Sequence, residues 1–139
     1  MKLDHIAIVV RDMDEAIATY SSKLGFTVSS RQQVASENVE IAVLSVDNTQ
    51  IELLRPLESS SGVAKFLAKK GEGLHHLCFE VDDLDTLIQS LLSSGINLID
   101  TKPRTGYKGN RAVFLHPASA HGVLIEFYEK QEITTPGST

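Results

Sequence analysis

The residues of this chain that could do chemistry come in a repeated pattern. His5 stands in Leu3-Asp4-His5-Ile-Ala-Ile-Val-Val, and His76 stands in Gly73-Leu-His75-His76-Leu-Cys78-Phe-Glu80-Val. The two histidines are 71 residues apart. Glu52 in Gln50-Ile-Glu-Leu-Leu54 pairs in the same way with Glu126 in Val123-Leu-Ile-Glu-Phe-Tyr128, 74 residues on (126 − 52). A longer turn at 117–122 absorbs the extra three residues. Each copy therefore offers one histidine on its first strand and one glutamate on its last. If the copies pair by pseudo-symmetry, the four side chains converge. Imidazole with carboxylate suits a divalent first-row metal that keeps positions open for water or substrate, whereas a closed structural zinc site more often uses cysteine. Strand alternation strengthens this reading. Glu52 shares a face with Gln50 and Leu54, and Glu126 with Leu124 and Tyr128. A carboxylate among apolar neighbours is costly to bury unless it is paired or bound to a metal. On the same alternation His75 lies on the face opposite His76 and serves as a hydrogen-bonding support, and Cys78 packs in the core.

The elements that must position these residues read as two tandem βαβββ units, an α+β class of fold whose paired sheets enclose a metal-binding cleft. Unit one has strands at 3–10, 26–29, 39–46 and 50–54, with a polar loop over 31–38. Its helix starts at the Asp12 cap, repeats apolar residues at Met13, Ala16, Ile17, Tyr20 and Leu24, and stops at Gly25. A Ser-rich connection and a short helix, Val63 to Lys70, lead to unit two. There strands at 75–81, 96–99, 111–116 and 122–128 surround a helix from about 83 to 94, and 101–109 is a loop with Pro103, Gly106 and Gly109. The expected organisation is one domain over 1–130, with unit one at about 1–57, a connection at about 58–73, unit two at about 74–130 and a polar tail from 131 to 139.

Composition narrows the classes. Hydrophobic residues make up 42% of the 139, enough for a packed core. The net charge of −5 and the lack of a long basic cluster argue against nucleic acid as a partner. No apolar run is long enough to span a bilayer, and no signal peptide is apparent, so no membrane partner is expected. The single cysteine points to a reducing compartment, the cytoplasm.

These motifs are familiar together. The run LDHIAIVVRDMDEAIATY with LGF, then QIELLRPL, GLHHLCFEVDD, GYKGNRAVFLHP and GVLIE, resembles the vicinal oxygen chelate superfamily, and within it the methylmalonyl-CoA epimerase family. The resemblance spans residues 3 to 127. It implies that His5, Glu52, His76 and Glu126 hold one divalent ion, cobalt first, with manganese, nickel or zinc as alternatives. It implies an acyl-CoA substrate whose C2 proton is removed through an enolate, with Glu126 and Glu40 as acid/base groups on opposite faces. It also implies a homodimer. Lys102, Arg104, Lys108 and Arg111, in or beside the glycine-containing loop, are candidates for the CoA phosphates. Rival readings are a lactoylglutathione lyase, an extradiol dioxygenase and a metal-free binding module. The complete His and Glu set weighs against the last.

Overall fold

Apolar alternation in the strand segments is realised as one eight-stranded sheet. The structure, a computed structural model, describes residues 1–106 and 109–130. The strands are β1 (Lys2–Val9), β2 (Thr27–Val34), β3 (Val39–Val46), β4 (Thr49–Pro56), β5 (Gly73–Val81), β6 (Arg104–Thr105), β7 (Arg111–Leu115) and β8 (Ile125–Glu129). Their order is β2-β3-β4-β1-β5-β8-β7-β6. β1 runs parallel to β4, β5 runs parallel to β8, and β1 and β5 meet antiparallel at the centre. The second half of the sheet thus repeats the first about a two-fold axis between β1 and β5.

The register across this seam keeps the symmetry residue by residue. Ile6 pairs with Leu77, flanked by His5 with Cys78 and Ala7 with His76. Beyond them the pairing slips on each side. Leu3 pairs with Phe79, which leaves Asp4 as an extra residue in β1, and Ile8 pairs with Leu74, which leaves His75 as an extra residue in β5. Both are β-bulges.

Two of the helices cover one face. α1 (Met13–Ile17) is capped by the Asp12 side chain, which accepts from Glu15 N, and it buries Met13 and Ala16 against Val10, Ala42, Leu44 and Leu53. α3 (Leu84–Ser93), capped by Asp83, buries Leu84 and Ile88 against Val113, Leu115 and Phe127. Burial of each of the larger side chains, Met13, Leu84 and Ile88, contributes about 1.5–3 kcal/mol. The other face carries Ala7, Val39, Ile41, Val43 and Leu54, with Val63 of α2 (Gly62–Lys70) packed on them. The outer ends of the sheet approach each other. A Cβ on Gly106, just past β6, would stand 2.9 Å from Glu37 Oε1 in the β2–β3 connection, the end of a flexible side chain that can move aside.

Four details differ from the sequence reading. β2 extends to Val34, into the expected loop at 31–38, the rest of which is a short 3-10 turn; Ser-Ser-Arg-Gln-Gln lies on a sheet edge with little burial, so it shows no apolar alternation. The expected strand at 96–99 is reduced to a single bridge, Leu98 to Leu115, and the loop at 101–109 instead supplies β6. The last strand starts at Ile125, not Gly122. After Ile17 the helix widens into a π-helix, Ala18–Lys23, with Leu24 N bonded to Thr19 O. The wider turn rotates Leu24 out of the apolar stripe, and it is 60% exposed. Among the described residues no helix is long and apolar enough to cross a membrane. Lys108 and the tail from 131 lie outside the described residues.

Candidate metal centre

Register and alternation bring four predicted residues to one face, opposite α1 and α3. His5 alternates with Ala7 on β1, Glu52 pairs with Val43 across β3–β4, and His76 pairs with Ala7 across the seam. Glu126 pairs with Cys78 and neighbours Phe127, which faces α3. His5 Nε2 lies 3.1 Å from His76 Nε2. Glu126 Oε1 lies 3.2 Å from His76 Nε2 and 3.9 Å from His5 Nε2. Adjacent donors on a first-row ion, with bonds of about 2.0–2.2 Å, stand roughly 3 Å apart. The spacing and the nitrogen–nitrogen–oxygen donor set fit such an ion.

Glu52 stands behind this trio. Its Oε2 lies 3.0 Å from His5 Nδ1, the ring nitrogen turned away from His76. The same Nδ1 is 2.8 Å from Asp4 Oδ2, and Asp4 Oδ1 accepts from the Tyr128 hydroxyl at 2.8 Å. On the other ring, His76 Nδ1 lies 2.8 Å from His75 Nδ1, and Phe114 packs edge-on at 5.7 Å between centroids. His75 therefore touches His76, although simple alternation placed it on the far face; the bulge re-aims it. The sequence reading missed Asp4, Tyr128 and Phe114. The signal for Asp4 was present, since the repeat sets it on His75.

A second trio, Asp4, His5 and Cys78, is also close enough to share an ion. It is the poorer site. Asp4 is engaged by Tyr128 and by the back of His5. Burial, followed by the neighbouring Glu126, pushes the Cys78 thiol far up, so it keeps its proton.

Charge is set by the same contacts. Burial alone would lower the pKa of His5, but hydrogen bonds to Asp4 and Glu52 and their charges raise it to about 10. Burial, then the nearby His76, pushes His75 down to about 4. Burial would raise Glu126, yet the hydrogen bond and charge of His76, with His5, hold it below the usual carboxylate range. It remains ionised.

Glu40 is not brought to this group. On β3 it alternates with Ala42 and Leu44, which face α1, and it pairs with Arg55. Its carboxylate lies 2.9 Å from Arg55 Nε and 3.1 Å from Arg31 Nε, while Arg31 also reaches Asp14 of α1 at 2.6 Å. Burial would raise its pKa, but the two guanidinium groups keep it low. The sheet thus separates Glu40 from His5, contrary to the acid/base role expected of it. Arg111 is likewise on the α3 side, paired with Asp85 at 2.7 Å and Glu129 at 3.1 Å. Arg104 pairs with Asp100, and Lys102 is exposed.

Fold and donor set together define a class, and sequence comparison agrees with it. Residues 4–114 match the model of the Glyoxalase/Bleomycin resistance protein/Dioxygenase superfamily, and the chain belongs to that superfamily. Within it the similarity is to methylmalonyl-CoA epimerases. The mitochondrial methylmalonyl-CoA epimerase of Dictyostelium discoideum is 38% identical over 130 residues, covering 93% of this chain and 78% of the relative. The crystal structure of methylmalonyl-CoA epimerase from Mycobacterium tuberculosis superposes with a TM-score of 0.85 at 38% identity, over 94% of this chain and 89% of the other. A methylmalonyl-CoA epimerase in complex with methylmalonyl-CoA and NH4+ gives 0.86 at 33% identity, over 97% and 98%.

Proposed function

We propose that this protein is an enzyme that epimerises methylmalonyl-CoA at C2. The observation that carries the proposal is the convergence of His5 Nε2, His76 Nε2 and Glu126 Oε1 on one face of the sheet, in a chain whose relatives are named for that activity. The C2 proton lies between a thioester carbonyl and a carboxylate, so its removal leaves an enolate. His5, His76 and Glu126 hold the divalent ion, and Glu52 supports His5 from behind or joins them. Such an ion, when bound, supplies electrophilic stabilisation of the developing enolate oxygen. Cobalt is the proposed ion. Glu126, ionised and lodged beside both imidazoles, is the proposed proton acceptor for one face of C2, and inversion is completed when a solvent-derived proton reaches the enolate from the other face. The face and the two arginine partners of Glu40 support a structural role for it. A homodimer and the reducing cytoplasm suggested by the single buried cysteine complete the proposal.

The test is to incubate cobalt-loaded protein with one enantiomer of methylmalonyl-CoA in deuterated water. The expected result is conversion of the single C2 epimer into a mixture of both, with deuterium uptake from solvent. Isomerisation of the hemithioacetal of methylglyoxal and glutathione, with the methylmalonyl-CoA proton untouched, would overturn the proposal in favour of a lyase of the glyoxalase type.

A further inference from the structure

We propose that Asp4 and His75 are a symmetry-related pair of positioning residues, each bulged from its strand so that it fixes the imidazole of the histidine that follows it. The inference rests on the reading of His5 and His76 as metal ligands.

The register carries the argument. The axis through Ile6 and Leu77 exchanges the pair His5–Cys78 with the pair His76–Ala7, and the pair Leu3–Phe79 with the pair Leu74–Ile8. The residues left unpaired by each slip, Asp4 and His75, are therefore the same position of the duplicated unit. In a regular strand a residue and its neighbour point to opposite faces, and neither Asp4 nor His75 would reach the ring beside it. One extra residue bends the strand and re-aims the side chain. Both bulges use this in the same way. Asp4 Oδ2 lies 2.8 Å from Nδ1 of His5, and His75 Nδ1 lies 2.8 Å from Nδ1 of His76. With both Nδ1 atoms occupied, the two Nε2 atoms turn toward each other, 3.1 Å apart.

Each positioning residue is itself anchored from another element. The Tyr128 hydroxyl of β8 donates to Asp4 Oδ1 at 2.8 Å. Phe66 of α2 packs edge-on against the His75 ring, 4.8 Å between centroids. The chemistry of the two supports differs. Once an ion replaces the second ring proton of His5, its Nδ1–H donates to a carboxylate, which leaves the Nε2 lone pair for the ion and makes it more basic. His76 reaches the same tautomer by donating its Nδ1–H to the bare Nδ1 of His75, whose proton then sits on its own Nε2. A neutral imidazole polarises its partner less than a carboxylate does. The duplicated unit thus yields two unequal ligands, His5 the stronger donor and His76 the weaker.

The test titrates chelator-treated protein with Co2+, following visible absorption and, separately, the melting temperature without metal. Asp4→Ala should weaken Co2+ binding by the ~10–100-fold typical of a lost support to a ligand. Tyr128→Phe should weaken it less. His75→Phe keeps a ring against Phe66 but removes the nitrogen, and should weaken Co2+ binding and shift the absorption bands while the metal-free melting temperature stays near wild type. His75→Asn, which can accept from His76, should recover part of the affinity. Wild-type affinity and spectrum in both Asp4→Ala and His75→Phe would overturn the proposal. So would equal losses in metal-free melting temperature with no recovery in His75→Asn, because that pattern means packing alone. If the wild-type protein takes up no Co2+, the metal reading itself falls, a result distinct from normal uptake that the variants leave unchanged.

Discussion

The carboxylate of Glu40 is held 2.9 Å from Arg55 Nε on the face of the sheet that carries α1, while Glu52, on the strand beside it, reaches His5 on the other face. Two glutamates close in sequence are thereby given separate tasks. Glu40 is 6% exposed and bridges Arg55 and Arg31, which ties β2, β3 and β4 together. Glu40→Gln should keep its metal and turn over near the wild-type rate, not with the ~10²–10⁴-fold loss of a missing general base. It should melt roughly 3–5 °C lower, the effect of about 1 kcal/mol in a domain of this size. Steady-state kinetics and a melting curve on one preparation decide the matter. A steep fall in turnover at unchanged melting temperature would return Glu40 to the chemistry.

The donor geometry ranks the ligand variants. His5→Ala, His76→Ala and Glu126→Gln each remove a member of the converging trio and should lose tight binding of one divalent ion per chain. They should also lose the rise in melting temperature on adding metal, since an ion bound only by the folded state stabilises it. Glu52→Ala removes a group that contacts His5 Nδ1, and should weaken binding by ~10–100-fold without abolishing it. Metal content after desalting, with calorimetry, gives the order. Complete loss in Glu52→Ala would make it a direct ligand equal to the others.

What the sequence made legible follows from what repeats. The offset of 71 residues between His5 and His76 marked the two copies, and alternation placed Glu52 and Glu126 with them. Faces across strands are a different matter. Whether Glu40 shares a side with His5 depends on the pairing of Val43 with Glu52 and of Glu40 with Arg55, and register is not written in any one strand. The bulges are invisible for the same reason: they are differences between two strands. The polar edge strand β2 lacked a periodic signal, whereas Ile96 and Leu98 carried one and pack against the α3 cluster almost without ladder.

The two shifted histidines set opposing pH limbs for the metal-free protein. The folded pKa of His75 is about 4, below the ordinary 6.5, so the unfolded chain binds more protons between these values and stability falls as pH drops from 6.5 toward 4. The folded pKa of His5 is about 10, above 6.5, so its contribution is complete below 6.5 and is lost as pH rises toward 10. Stability of chelator-treated protein should therefore peak near pH 6.5, each limb bounded by ~1.4 kcal/mol per pH unit. Urea unfolding across pH 4.5–9 checks this. His75→Phe should flatten the acid limb alone, and an unchanged acid limb in that variant would assign it to other groups.

The basic residues divide in the same way between structure and substrate. Arg111 bridges Asp85 and Glu129 on the α3 side, so Arg111→Ala should leave the KM for methylmalonyl-CoA unchanged and lower the melting temperature. Lys102 is exposed, and Arg104, paired with Asp100, sits on the short edge strand β6. If this edge is the mouth that receives the CoA phosphates, Lys102→Glu and Arg104→Glu should raise KM with little change in kcat, because they alter capture of an anion and not the reacting centre. The effect should shrink as salt rises, since exposed charges are screened over about 8–10 Å at physiological ionic strength. The measurement is KM at low and high salt for the three variants. An increase confined to Arg111→Ala, with Lys102→Glu and Arg104→Glu at wild-type KM, would place the phosphates beside α3 and not at the β6 edge.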